Sequence, residues 1–183
     1  MEAGEIDRIL AAVYGNYAWA VKQGHGSFLT VEFGMPSLQI REPMDVPPQA
    51  SMQSRSGLQR RRVNVVGKWH LWIHCCNWSI SFMGGEAAHS ESSREAIASA
   101  TEQLDGQRLS SVRRHSAQGT WTFTFDLGGE LTTWPYGDDP LEEQWLFYEG
   151  QSGRVLTVRA DDCYSYGPGN QRPDDIVWSA IKS

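Results

Sequence analysis

Residues Val63–Met83 read VNVVGKWHLWIHCCNWSISFM, and the alternation of their side chains decides what the rest of the chain can build. This is the longest apolar, aromatic and β-branched run, and it holds two of the three cysteines and two of the five histidines. At a period of two, Trp69, Leu71, Ile73 and Cys75 share one face of an extended strand, opposite Lys68, His70, Trp72 and His74. Then the phase inverts. Cys76, Trp78, Ile80 and Phe82 become the apolar set, against Asn77, Ser79 and Ser81. A one-residue slip turns every side chain to the other face, so no regular strand carries both halves. The pattern predicts a β-bulge or tight bend at Cys75-Cys76-Asn77, within one long strand or between two.

Working outward, the N-terminal side begins with an amphipathic helix over Glu5 to Tyr14, with Ile6, Ile9, Leu10, Val13 and Tyr14 on one face. Strands follow at Tyr17–Val21, Phe28–Phe33 and Leu38–Arg41, separated by glycine turns, with Leu29, Val31 and Phe33 as the buried set. Residues 43–62, rich in Pro, Ser, Gln and Arg and including Pro47-Pro48, read as a long mobile loop. Beyond the central run, Gly84-Gly85 marks a turn. Ser92 and Glu95 form a capping-box pattern ahead of a helix that buries Ile97, Ala100, Thr101 and Leu104 and stops at Asp105-Gly106. A strand over Leu109–Ser116 comes next. Trp121, Phe123, Phe125 and Leu127 then alternate with Thr120, Thr122, Thr124 and Asp126. A three-residue loop over Gly128 to Glu130, with a glycine at positive φ, would pair Leu127 with Leu131. A hairpin over Gln144–Glu149 and Arg154–Ala160, a strand at Cys163–Tyr166 and a helical turn or two within Asp174–Ile181 complete the chain. In that last segment Ile176, Val177 and Ile181 are expected to face inward. The expectation is one α+β domain: a mostly antiparallel, strongly bent sheet or partly closed barrel with two short amphipathic helices.

The net charge of −6 is uneven. Residues 1–92 carry eight basic and eight acidic side chains, and residues 93–183 carry eight and fourteen. Acidic excess disfavours nucleic acid, whose binding rests on neutralising phosphates. The run Arg60-Arg61-Arg62, with Arg55 nearby, is the one feature that would favour it. No 18-residue apolar stretch and no basic start followed by an apolar run is present, and the cysteine count is odd. These features lead to the expectation of a cytoplasmic protein with reduced thiols and no membrane span.

His70, His74 and Cys76 are metal-ligand types, but His70 and His74 on one strand lie roughly 13 Å apart. A zinc site would need His25, His89, His115 or Cys163 as well, and no CxxC or HExxH spacing occurs. Cys75 or Cys76 beside a histidine has the ingredients of a nucleophile, yet a thiol in apolar surroundings keeps its proton. The pairs Asp138-Asp139, Glu142-Glu143, Asp161-Asp162 and Asp174-Asp175 read as solvated turn formers, and together they make the C-terminal half suited to a basic partner. Neither a metal nor a cofactor is expected. The binding candidates are His70, Trp72 and His74 on the wet face of the central strand, and Asp138, Asp139, Glu142 and Glu143.

The blocks GHGSFLTVEFG, LQIREP, RRRVNVVGKWHLWIHCCNW and RVLTVRADDCYSYGPG, which span most of Val21 to Gly169, resemble a family of bacterial proteins of unknown function. No catalytic motif comes with that resemblance. Build and charge are also similar to those of immunity proteins that neutralise toxins. The resulting expectation is a non-enzymatic protein that binds another macromolecule by protein–protein contact. The alternative is a small-ligand-binding protein or enzyme with a His/Cys site on strand 68–78.

Overall fold

The inversion of phase in the central segment is a passage from one sheet to another. The computed structural model describes residues 4–46, 49, 51–115 and 117–181, without the side chains of 53 and 54. Pro47, Pro48 and Ser116, assigned above to a loop and a strand end, lie outside them. The chain begins with α1 (Glu5–Leu10), β1 (Ala18–Gln23), β2 (Leu29–Phe33) and β3 (Ser37–Arg41). There follow α2 (Met52–Leu58), β4 (Arg62–Val66), β5 (Trp69–Ile73), β6 (Cys76–Phe82), β7 (Gly85–His89) and α3 (Arg94–Leu104). The remainder is β8 (Leu109–Arg114), β9 (Trp121–Phe125), β10 (Gly129–Pro135), β11 (Glu143–Glu149), β12 (Arg154–Arg159), β13 (Cys163–Pro168) and β14 (Ser179–Ala180). A 3-10 turn at Pro173–Asp175 precedes the last strand.

A seven-stranded sheet runs β1-β2-β5-β11-β12-β13-β14, and a five-stranded sheet runs β7-β6-β10-β9-β8. Every pairing between named strands is antiparallel. The fold is α+β as expected, but its sheet is neither one bent sheet nor a partly closed barrel. Two open sheets share the core, and three helices lie among the described residues rather than two. The reason lies at His74 and Cys75. Trp69, Leu71 and Ile73 are buried on β5, and Cys76, Trp78 and Ile80 are buried on β6, so both halves face the same core from opposite sides. The turn between them is tight, with the Cys76 N–H donating to the His74 carbonyl at 2.5 Å. It falls one residue before the centre of the stretch that the sequence singles out.

Trp145 of β11 joins the two layers. Its ring meets Trp121 and Phe123 of β9 edge-on, with centroids 5.4 and 5.3 Å away. Ile6 and Leu10 of α1 and Ile97, Ala100, Thr101 and Leu104 of α3 are buried as their spacing predicts. The cap of α3 is Ser93, whose hydroxyl accepts the Ala96 N–H, and not Ser92, which holds the His89 N–H instead. The β9–β10 hairpin has the expected loop length and a glycine at positive φ, Gly128, but its position differs. Leu131 pairs with Phe123 and Glu130 with Thr124, so residues 126–128 form the loop and Leu127 is exposed. Gly129 then lies under Leu104 and Gln107, where an added Cβ would come within 2.7 Å of either side chain. Close approach by α3, which strand alternation does not reveal, sets this register. Val177 is exposed rather than inward, and β7 occupies a stretch that reads only as polar.

The pair β2–β5 continues past a break as β3–β4, a separate two-stranded ribbon. At the break, a Cβ on Gly67 would stand 2.5 Å from the Phe33 carbonyl oxygen, so only glycine lets the strands pass. Leu38 faces Val65 and Ile40 faces Val63 across the ribbon, and all four are exposed. Residues 43–62, read as a loop, contain α2 and the first residue of β4.

Candidate docking surface at the sheet crossing

Residues on β5 alternate, so its outward positions point away from the core, and Trp72 and His70 lie on the outer face of the seven-stranded sheet. Trp72 stacks near His74 with ring centroids 4.4 Å apart. Phe28, just before β2, closes the group at 4.8 Å from His74 and 5.9 Å from Trp72. All three rings are partly exposed. The antiparallel registers bring this about, because Thr30 of β2 and Leu146 of β11 flank Trp72.

A second crossing runs beside the first. Pro135, the last residue of β10, pairs with Cys76, and the chain returns to the seven-stranded sheet at Glu143. Gln144 ties the crossings together: its carbonyl accepts the His74 N–H at 2.8 Å and the Cys76 thiol at 3.3 Å. Residues 136–142 therefore leave and rejoin the sheets beside the His74–Cys76 turn. Glu142 lies close enough to Cys75 to bond its thiol, and Glu143 adds its charge. Asp138 and Asp139 are exposed, with Asp139 Oδ1 accepting the Leu141 N–H at 2.9 Å. None of these four carboxylates forms an ion pair among the described residues. Tyr136 and Leu141 stand out of the same connection, 70% and 59% exposed.

The thiols are held protonated. Burial, then the Glu142 hydrogen bond and charge, raises the Cys75 pKa above its ordinary value. Burial raises Cys76 much further. Cys163 is raised by burial and by Asp161. His74 Nε2 is 3.6 Å from the Cys75 sulfur, and its buried Nδ1 has no partner among the described residues. Thiolate chemistry is disfavoured here. Among the described residues no group of three His, Cys, Asp or Glu side chains is arranged to hold a metal ion. His115 bonds Thr122 and His89 accepts from the Glu91 N–H, each within its own neighbourhood. Arg61 pairs with Glu42 at 2.8 Å, and Arg62 lies opposite Arg41 on the ribbon.

Of the residues singled out from the sequence, Trp72, His74, Glu142 and Glu143 come together, with Asp138 and Asp139 in the adjoining connection. His70 does not join them. It turns to Glu32 of β2, its Nδ1 2.8 Å from Oε1, and stands against Tyr148 at 5.7 Å. Phe28 and Glu32 are not marked as site residues by the sequence, because only strand pairing brings them beside β5. The even face of Phe28, Thr30 and Glu32 was the one available signal. No family model, curated protein or solved structure matches this chain. No described helix is long and apolar enough to cross a membrane.

Proposed function

We propose that the protein is a non-enzymatic binding protein that docks a basic protein partner on the crossing surface, as an immunity protein docks the toxin it neutralises. One observation carries the reading: Glu142 and Glu143 act on Cys75 beside the partly exposed Phe28–Trp72–His74 group, Asp138 and Asp139 stand exposed in the same connection, and none of the four carboxylates forms an ion pair among the described residues. Aromatic side chains are the usual anchors of an interface, and unpaired charge at its rim speeds and orients the encounter. Raised thiol pKa values at Cys75 and Cys76 weigh against the alternative, a His/Cys reaction centre on residues 68–78.

The test is affinity capture from the source organism with the wild-type protein and with the double variant Glu142→Lys, Glu143→Lys. The expected result is a basic partner, released as salt rises, whose affinity for the double variant drops about tenfold or more. Capture of the same proteins by both forms, or of none by either, would remove the reading.

A further inference from the structure

On the same outer face, away from the crossing and beside the ribbon, lies a cavity of about 460 Å³, a size suited to a small molecule. We propose that this cavity binds a neutral saccharide of one or two sugar units. The inference does not rest on the docking reading: Trp72 borders both sites, but the cavity uses His70, Tyr148 and the β11–β12 hairpin and none of the carboxylates of 138–143.

Each charged group that lines the cavity is already engaged by its wall. Glu32 accepts from His70 through one oxygen and from the Gly67 N–H through the other, both at 2.8 Å. Glu149 accepts from the Ser152 and Tyr166 hydroxyls at 2.6 and 3.2 Å. Arg154 lies over the Tyr166 ring, 4.0 Å from its centroid, and donates to the Tyr166 carbonyl at 3.2 Å. Glu149 and Arg154 form no ion pair among the described residues but face each other in the β11–β12 register, so a ligand of either charge would meet a like charge beside the opposite one.

A wholly apolar ligand fits no better, because it would strip water from polar groups and return no hydrogen bonds. His70 bonds Glu32 through Nδ1, which leaves Nε2 for a ligand hydroxyl. Arg154 keeps N–H groups beyond the one given to Tyr166, and Gln39 lines the ribbon side with an exposed amide. Trp72 and Tyr148 contribute aromatic surface, and Gly150, Gly153 and Gly169 leave bare backbone along the edge. Hydroxyls that both donate and accept, carried on a ring with apolar C–H faces, satisfy all of these groups together.

The experiment is saturation-transfer NMR and calorimetric titration of the full chain with common hexoses, N-acetylhexosamines and their disaccharides, with choline and citrate as cationic and anionic probes. At least one sugar should bind saturably. Arg154→Met, a change at an exposed position, and His70→Gln, which keeps a donor for Glu32, should each weaken it about tenfold, the effect of one or two lost hydrogen bonds. The Glu142→Lys, Glu143→Lys variant should bind the sugar as wild type does. Failure of every sugar to saturate at millimolar concentration, binding of choline or citrate instead, or sugar binding unchanged in both cavity variants would each overturn the proposal.

Discussion

Glu32 has both carboxylate oxygens occupied, one by His70 and one by the Gly67 N–H, although it sits in the middle of a strand. Burial by itself would raise its pKa, but the bonds from His70 and Gly67 and the charges of His70 and Lys22 outweigh that and hold it below the ordinary carboxylate value. Asp161 is lowered in the same way, with burial opposed by Arg159 and the Cys163 N–H. A depressed native pKa gives stability that is present above the unfolded carboxylate pKa, about 4, and lost as the pH falls through the native value. Denaturant unfolding of the wild type should therefore show declining stability below about pH 4, and Glu32→Gln should flatten that decline. At neutral pH, Glu32→Ala should cost about 2–3 kcal/mol, because it leaves an imidazole and a backbone N–H unpaired. Native Cys76 should react with a thiol reagent far more slowly than the unfolded protein does, which a colorimetric assay would measure. His70 was legible as a polar residue on a wet face. Its partner was not, since 38 residues separate the two and only the β2–β5 register joins them.

Among the elements, the β3–β4 ribbon differs most from the rest. Its residues are almost all exposed and its outer edges are unpaired, whereas β5 and β11 are paired on both sides. Amide exchange at 37–41 and 62–66 should be orders of magnitude faster than in β5 and β11, measured by mass spectrometry or NMR. The ribbon turns off the sheet at Gly67, where Gly67→Ala would force a methyl group against the Phe33 backbone. That change should lower stability by about 1–3 kcal/mol in denaturant unfolding. Elements set by local signals were legible: α3 from its periodicity and stop, and β9 from its alternation. The hairpin loop was misplaced by two residues because Gly129 is required by the overlying Leu104 and Gln107, which belong to a distant helix end. The cap at Ser93 rather than Ser92 has a local cause, since Ser92 already accepts the His89 N–H three residues back and Ser93 is left to accept the Ala96 N–H.

For the whole molecule, the two sheets stand or fall together, because one core cluster draws on both and Trp145 bridges them. Trp145→Ala should cost about 3–5 kcal/mol. Circular dichroism and tryptophan fluorescence should still follow one common unfolding transition in the wild type. The docking and saccharide proposals use neighbouring parts of one outer face, built where β2, β5 and β11 lie side by side. The sequence by itself determined the α+β class, the positions of most strands, the buried faces of β2, β5, β6 and α3, and the irregularity near Cys75, because side-chain period and turn chemistry act over a few residues. Only the tertiary structure decided that this irregularity is a passage between two sheets. It also decided that the return through residues 136–142 lies beside it, and that Glu32 meets His70. Those outcomes depend on which strands pair and in what register, a choice made by long-range packing into a shared core.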